Sequence, residues 1–198
     1  PVSAYLTDRV DFATFSGHKF HAVRGVGFVY KKAGKKITPL LTGGGQEKDF
    51  RSTTENVAGI ASMAKALRLV TDKEAFSLPK IAKMKKIIFD ELAKYEDITI
   101  FSGEGEDFAP NILTFGIKGV RGEVIVHAFE EHQIYISTTS ACSSKAGKPA
   151  GTLISMGVPT KLAQTAVRIS LDDDNDMGQV EQFLTIFKQV YAKTQKVR

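Results

Sequence analysis

Three stretches of the sequence carry residue types that could do chemistry, and the first is Ser16-Gly17-His18-Lys19. It comes where a predicted strand ends and a loop begins, which is the usual place for functional side chains in α/β sheets. A lysine at such a place can form a Schiff base with a carbonyl cofactor, and Ser16 and His18 could donate hydrogen bonds to a neighbouring phosphate. Taken alone, the tetrapeptide favours a simpler interpretation, in which Lys19 is one more solvated cation.

The second stretch runs from three glycines, Gly43 to Gly45, into the segment 51–56, which contains Thr54. The glycines let the backbone come close to a ligand or a neighbouring chain. Thr54 precedes a helix that we expect to begin near Glu55, where unpaired N–H groups and the helix dipole favour an anion. By itself the pattern favours an N-cap threonine after a flexible turn.

The third stretch, residues 137–151, contains no large apolar residue and therefore predicts a long loop that cannot pack into a core. Cys142 lies in its middle. Structural cysteines are usually buried among hydrophobic residues, whereas a thiol in a polar loop is accessible, and Lys145 and Lys148 would favour its thiolate. The pattern predicts a reactive cysteine. The lack of apolar anchors also predicts that residues 138–148 are mobile.

Composition excludes several other classes of protein. The chain has 198 residues, of which 42% are hydrophobic, and its single cysteine rules out an internal disulfide framework and a cysteine-rich zinc site. The single cysteine therefore predicts a reducing, cytoplasmic setting, and no apolar run is long enough to span a membrane.

His18 and His21 have no carboxylate or cysteine near them in sequence, so no metal site is expected. The net charge is +5, but no aromatic residues interleave with the lysine clusters, which disfavours direct nucleic-acid binding.

The pattern up to about residue 72 predicts short strands followed by a helix. We expect strands at Val10–Phe15, Gly25–Tyr30 and Ile37–Leu41. Apolar residues at helical spacing follow from Val57 to Leu67, and the periodicity breaks at Thr71–Lys73, where we place a domain boundary. Because the chain opens on Pro1 and enters a strand almost at once, we expect it to be part of a longer chain.

Residues 73–198 alternate helices with strands of a second domain. An amphipathic helix is predicted from Ile81 to Tyr95, with Ser77 as its N-cap and Pro79 in its first turn. The remaining predicted elements are strands at 98–101, 111–117, 134–137 and 167–171, a helix at 121–133, and a final helix that follows the acidic run Asp172–Asp176. The whole reads as an α/β segment followed by an α+β domain that carries the cysteine loop.

Taken together, the chemical motifs resemble the NifS/IscS-type cysteine desulfurases, which are class V aminotransferase-family enzymes of fold-type I that depend on pyridoxal 5'-phosphate (PLP). Six strings match the family in order and spacing over almost the whole chain. They are Phe15-Ser16-Gly17-His18-Lys19-Phe20-His21, Gly25-Val26-Gly27-Phe28-Val29-Tyr30, Gly43-Gly44-Gly45-Gln46-Glu47, Arg51-Ser52-x-Thr54-Glu55-Asn56, Ser140-Ala141-Cys142-Ser143-Ser144 and Val167-Arg168-Ile169-Ser170-Leu171.

The resemblance implies the C-terminal part of an aspartate aminotransferase-like fold, with 1–72 ending the large PLP-binding domain and 73–198 forming the small domain. It implies that Lys19 carries the PLP. It makes Ser16 and His18 phosphate ligands, and Thr54 a phosphate ligand that reaches the site of the partner subunit, so a homodimer is expected.

The same resemblance makes Arg168 the residue that binds the α-carboxylate of L-cysteine through its planar fork. It makes Cys142 the nucleophile that takes the substrate sulfur as a persulfide and releases L-alanine. The sulfur would pass to an acceptor protein for tRNA thiolation, thiamine synthesis or Fe–S assembly. The context of Cys142 is similar to the desulfurases paired with a tRNA 4-thiouridine sulfurtransferase.

The chain also departs from the family pattern. Ala22-Val23-Arg24 replaces the usual Gly-Pro-Lys, and Thr53 stands where glycine is usual. The family's aspartate to the pyridine nitrogen, its ring-stacking histidine and its glutamine to the phenolic oxygen precede the lysine, outside this sequence. We therefore expect this chain alone to be inactive.

Two alternative functions remain open. A class V aminotransferase would share Lys19 and Arg168 but has no need of a cysteine on an exposed loop. A non-catalytic interaction module would dock a sulfur acceptor through the loop and the basic faces, without chemistry. The visible absorbance of a lysine-bound cofactor would separate an enzyme from such a module.

Overall fold

The structure, a computed structural model, describes residues 6–105, 107–138 and 151–195. Contacts between Cα atoms divide the chain into two compact units, Pro1–Ala75 and Phe76–Arg198. The sequence placed the domain boundary between residues 72 and 73, and the assignment of the two parts to a large and a small domain stays a prediction. The first unit carries the lysine motif, and the second carries Arg168.

The first unit is built on a two-stranded antiparallel sheet of β1 (Phe12–Ser16) and β2 (Gly27–Lys31). Phe15 lies opposite Phe28, and their rings stack with centroids 4.6 Å apart. A side chain at Gly27 would overlap the carbonyl oxygen of Phe15, so only glycine fits there. The core cluster of this unit is small: Ala22, Met63 and Ala66 are buried, with Phe20, Val26 and Phe28 packed against them.

The predicted strand at Ile37–Leu41 is wrong, because the structure has no strand there. Its large side chains are exposed, including Leu40 at 94%. Pro39 offers no N–H to a sheet, and without a covered face the apolar residues have nothing to pair with or pack against.

A single helix, α1, runs from Val57 to Leu92, so the prediction of two separate helices on either side of Thr71–Lys73 is wrong. The Thr71 hydroxyl donates to the carbonyl of Leu67 at 2.9 Å, so this polar residue is accommodated within the helix. Pro79 lies inside the helix and not in a first turn. It lacks the N–H that would bond to the carbonyl of Ala75, the last residue of the first unit.

The second unit contains a four-stranded antiparallel sheet in the order β3-β4-β6-β5. The strands are β3 (Ile98–Ile100), β4 (Ile112–Ile117), β5 (Ser137–Thr138) and β6 (Ala166–Ser170). The helices that follow α1 are α2 (Gly122–Glu130), α3 (Gly151–Ser155), α4 (Thr160–Ala163) and α5 (Met177–Gln195). Most predicted elements of this domain are present, although β5 is shorter than the predicted strand and starts three residues later.

One face of this sheet packs against α1, α2 and α5 to form the main core. Sixteen buried hydrophobic residues make up this cluster: Ile81, Met84, Ile88, Leu92, Leu113, Phe115, Ile117, Val120, Ile125, Phe129, Val167, Ile169, Val180, Phe183, Phe187 and Val190. A smaller cluster of Leu153, Ala163 and Ala166 includes residues of α3 and α4. Because side chains alternate along a strand, Val167 and Ile169 face the main core while Arg168 faces the other side of the sheet.

Lys85 of α1 is buried, with 6% of its surface exposed, and fixes the loop between β3 and β4. Its Nζ donates to the carbonyl oxygens of Gly103 at 3.1 Å and Ala109 at 2.9 Å. Burial lowers the pKa of Lys85 below its ordinary value of 10.5, while the nearby Glu104 carboxylate acts in the opposite direction. The ammonium therefore serves as an internal cap for two loop carbonyls.

Within the part of the chain that is described, no helix is both long enough and apolar enough to cross a membrane.

Candidate functional site

Lys19 lies on a tight turn directly after β1. Ser16 ends the strand, and residues Gly17–Phe20 form one turn of 3-10 helix. The turn is held by two backbone hydrogen bonds, from Gly17 N–H to the Val26 carbonyl at 2.9 Å and from Ala22 N–H to the Gly17 carbonyl at 3.0 Å. A Cβ at Gly17 would lie 2.9 Å from the Val26 oxygen, so glycine is required for the turn to approach the neighbouring chain segment.

The side chains around this turn are available to a ligand. Ser16, His18 and Lys19 are exposed, and no hydrogen bond or ion pair joins their side chains to any other residue described. Together they offer a hydroxyl, an imidazole and a primary amine within four residues. A phosphate accepts hydrogen bonds from the first two, and an aldehyde condenses with the third, so the donor set fits PLP.

Thr54 is exposed and does not cap α1. The N-cap is Asn56, whose Oδ1 accepts a hydrogen bond from the N–H of Gly59 at 3.0 Å. The interpretation of Thr54 as an N-cap threonine is therefore wrong, because the helix starts two residues later than the sequence suggested. Its hydroxyl is left without a capping role and could serve a ligand or a neighbouring chain.

The glycine segment before Thr54 leads into an unusual backbone. Gly45 has a φ of 82°, and the three residues Glu47, Lys48 and Asp49 have φ values of 51°, 56° and 65°. Consecutive non-glycine residues in the left-handed region are uncommon because Cβ crowds the backbone. Such strain is concentrated at ligand and partner contacts, which agrees with the expectation that this segment approaches another group closely.

Arg168 lies in the middle of β6, between two neighbouring strands. It is opposite Thr114 of β4 on one side and opposite Ser137 of β5 on the other. Its Nη2 donates to the Ser137 Oγ at 3.1 Å. Its Nε is buried, and the described residues provide it with no hydrogen-bond partner.

A half-buried guanidinium with an unpaired Nε–H is suited to binding a carboxylate. A buried donor without a partner destabilises the free protein by about 1–3 kcal/mol, and an acceptor that reaches it removes this penalty. The planar fork of arginine pairs with both oxygens of a carboxylate at once. The geometry therefore agrees with the predicted role of Arg168 in substrate binding, which stays a prediction.

Cys142 and the loop around it lie outside the described residues, which stop at Thr138 and resume at Gly151. Both the predicted reactivity of Cys142 and the predicted mobility of residues 138–148 stay predictions. What the structure does describe is the strand that leads into the loop, since β5 ends four residues before the cysteine.

The structure brings Ser16, His18 and Lys19 together at the end of β1 and on the turn that follows it. Thr54 belongs to the same unit as this turn. Arg168, the predicted substrate-binding residue, belongs to the second unit. Sequence reasoning missed Ser137, the hydrogen-bond partner of Arg168. The contact spans 31 positions, and only the pairing of β5 with β6 reveals it.

Comparison with known families identifies the class of protein. Residues 7–183 match the family described as "Aminotransferase class-V". This range is most of the chain, and the chain belongs to that family.

Curated proteins that resemble the chain include a NifS/IcsS homolog and a cysteine desulfurase. The chain is 47% identical over 192 residues to a "NifS/IcsS protein homolog" of Lactobacillus delbrueckii subsp. bulgaricus, covering 97% of this chain and 50% of the relative. It is 35% identical over 162 residues to "Cysteine desulfurase IscS" of Dictyoglomus turgidum, covering 82% of this chain and 41% of the relative. The chain thus spans about half the length of the curated relatives it matches.

Solved structures confirm the predicted fold class. A NifS-like protein from Rickettsia africae superposes with a TM-score of 0.81 at 32% identity, covering 92% of this chain and 48% of the other. A second NifS-like protein gives a TM-score of 0.79 at 31% identity, covering 93% and 47%. The fold is therefore that of the fold-type I NifS-like enzymes.

Proposed function

We propose that the whole product of the gene that encodes this chain is a PLP-dependent cysteine desulfurase, in which this chain supplies Lys19, Arg168 and Cys142. One observation carries the proposal furthest. The candidate carboxylate-binding residue, Arg168, is hydrogen-bonded to β5, the strand that ends four positions before Cys142 in the sequence. A sulfur-accepting thiol is useful only near the bound amino acid, and the relative named a cysteine desulfurase points to the same reaction.

The residues of the turn after β1 would hold the cofactor. Lys19 would bind the cofactor aldehyde through its amine, while Ser16 and His18 donate hydrogen bonds to the phosphate and Thr54 serves the phosphate of a partner subunit. When bound, PLP supplies an electron sink that weakens bonds next to the amino-acid α-carbon. The exposure of all four side chains leaves them accessible for these contacts.

Cys142 accounts for the transfer of sulfur. Its thiolate attacks the sulfur of the bound L-cysteine, so that the carbon–sulfur bond breaks and a sulfur–sulfur bond forms. L-Alanine leaves, and Cys142 keeps one extra sulfur atom as a persulfide. The balance is one L-cysteine and one thiol in, one L-alanine and one persulfide out, with no external oxidant or reductant.

The proposed enzyme is a cytoplasmic homodimer that hands sulfur to an acceptor protein. The shared phosphate site supports dimerisation, because Thr54 would complete the site of the other subunit. The sequence around Cys142 favours an acceptor of the tRNA 4-thiouridine sulfurtransferase class, with thiamine or Fe–S assembly as the other uses of the same persulfide.

The test is a comparison of Cys142→Ser with the parent in the whole gene product. The serine variant should bind L-cysteine but release no L-alanine in a single turnover, because a hydroxyl is too weak a nucleophile toward sulfur. Alkylation followed by mass spectrometry should find a one-sulfur adduct on Cys142 of the parent alone.

Three outcomes would reject the proposal. If the serine variant makes L-alanine at the parent rate, or if the adduct never forms on the parent, a class V aminotransferase becomes the better assignment. If the parent retains no PLP, shown by the lack of visible absorbance, the interaction-module alternative is favoured instead.

A further inference from the structure

The contact between Arg168 and Ser137 is the only side-chain hydrogen bond of this arginine among the described residues. The Ser137 Oγ accepts from Nη2 at 3.1 Å, and the two residues are cross-strand partners in the register of β5 and β6. Thr114, the cross-strand neighbour on the other side, shares no side-chain hydrogen bond with this arginine within the described ranges. Among the residues that the structure describes, the guanidinium is therefore held by one hydroxyl.

This single contact leaves the guanidinium available for a ligand. Arginine has five N–H donors, and Ser137 takes one of them. The buried Nε–H, which has no partner within the described ranges, lies on the same guanidinium and remains free. A long side chain held at one point, with its other donors unused, is pre-oriented for a bidentate partner and loses less rotamer freedom when that partner binds.

We propose that Ser137 is a positioning residue for amino-acid binding: its hydroxyl fixes the guanidinium of Arg168 so that the fork receives the substrate α-carboxylate. The inference rests on the proposed function for the substrate, and it adds a residue and a role to it. Ser137 lies five positions before Cys142, so the short strand that holds the carboxylate anchor is close in sequence to the proposed thiol.

Binding of L-alanine to the whole, PLP-loaded gene product tests the proposal without turnover, because L-alanine keeps the carboxylate and has no sulfur to transfer. Calorimetry should show that Ser137→Ala weakens this binding roughly 3- to 10-fold, the range expected for the loss of one hydrogen bond of ordinary net strength. Ser137→Thr keeps a hydroxyl on a strand-compatible side chain and should stay within about twofold of the parent.

Thr138→Ala is the matched control. Thr138 also belongs to β5 and also loses a hydroxyl, but it pairs with Val167 and not with Arg168. Its effect on L-alanine binding should remain below about twofold. Equal losses in Ser137→Ala and Thr138→Ala would overturn the proposal and make Ser137 a residue of strand pairing alone.

A double-mutant cycle on kcat/KM for L-cysteine identifies the route of the effect. If Ser137 acts through Arg168, Ser137→Ala should lower kcat/KM in the parent, mainly through KM, and should have no further effect in the Arg168→Ala background. The same loss in both backgrounds would contradict the proposal.

The two measurements separate this inference from the proposed function. A protein that binds L-alanine with the expected Ser137 dependence but never forms it from L-cysteine would refute the desulfurase and support the positioning role. A parent protein that binds no L-alanine would overturn the positioning role itself.

Discussion

At the scale of single residues, Arg168 shows why charge and shape must be considered separately. Its guanidinium is half-buried, held by Ser137 and left with a buried Nε–H that the described residues do not pair. A lysine at this position would keep the positive charge but would present a point charge in place of a planar fork. Replacement of Arg168 by lysine should therefore weaken substrate binding less than replacement by alanine.

Arg168→Lys should weaken L-cysteine binding although the charge is kept, and Arg168→Ala should cost more, on the order of 2–4 kcal/mol where the carboxylate is desolvated. Steady-state kinetics of the whole gene product measures both. Unchanged KM and kcat in both variants would reduce Arg168 to a structural residue of an inner strand.

Lys19 should be irreplaceable in the proposed enzyme. Lys19→Ala in the whole gene product should abolish the visible absorbance of the bound cofactor and the formation of L-alanine together, because the turn Gly17–Phe20 offers no second amine. Absorption spectra and alanine release provide the two readouts. Lys35→Ala is a suitable control, since Lys35 is an exposed cation of the same unit, ion-paired to Asp11 at 2.8 Å, and should leave both unchanged.

At the scale of elements, sequence patterns succeeded where burial and local periodicity agree. β4 and β6 were located to within a residue or so because their residues alternate against a full core. The acidic run before α5 was identified as the start of that helix, and Asp176 Oδ1 does accept the N–H of Gln179 at 2.8 Å.

Predictions from the sequence were wrong or incomplete where an element depends on a contact that is distant in sequence or does not form. Ile37–Leu41 has strand-like composition but no covering layer, so it forms no strand. The polar segment Thr71–Lys73 interrupts apolar periodicity without ending α1, because an exposed helix needs no apolar stripe there. The role of Ser137 could not be predicted, since it depends on a pairing of strands that local patterns do not encode.

The loop between β3 and β4 gives a prediction about pH. Replacing Lys85 with methionine removes the donor to the Gly103 and Ala109 carbonyls and should lower the free energy of unfolding at neutral pH by about 1–3 kcal/mol. Because burial lowers the pKa of Lys85 in the folded state, the unfolded chain binds more protons between that pKa and 10.5. The contribution of Lys85 to stability should therefore rise with pH across this window.

Urea unfolding of the parent and the variant between pH 8 and about 11 measures this difference, and Lys86→Met provides a control of opposite sign. The hydrogen bond that Lys86 donates to the Asp90 carboxylate, followed by the one that it donates to Glu104, raises the pKa of Lys86. The contribution of Lys86 to stability is therefore fully present below 10.5 and is lost as pH rises from that value through the raised pKa. Parallel pH dependence in the two variants would refute the assignment of Lys85 as a buried, desolvated cation.

At the scale of the whole molecule, the two units differ in how much of their own core they contain. The second unit surrounds a four-stranded sheet with helices and buries aromatic residues such as Phe115, Phe129 and Phe187 completely. The first unit has a two-stranded sheet and a core of three small or medium side chains, while Val29, Leu40 and other large apolar residues are exposed. A two-stranded sheet with so small a core is marginally stable in water.

This difference predicts that the second unit folds by itself and the first does not. A polypeptide of residues 76–198 should give a cooperative thermal transition by circular dichroism. A polypeptide of residues 1–75 should give none, because its buried apolar surface is too small to offset chain entropy. Phe187→Ala tests whether the transition reports the main core, since the Phe187 ring contacts Tyr95 and Phe115 with centroids 5.3 and 6.4 Å away. That variant should lose about 3–5 kcal/mol and melt at a much lower temperature. A cooperative transition in residues 1–75, or none in residues 76–198, would show that the division of the chain does not correspond to independent stability.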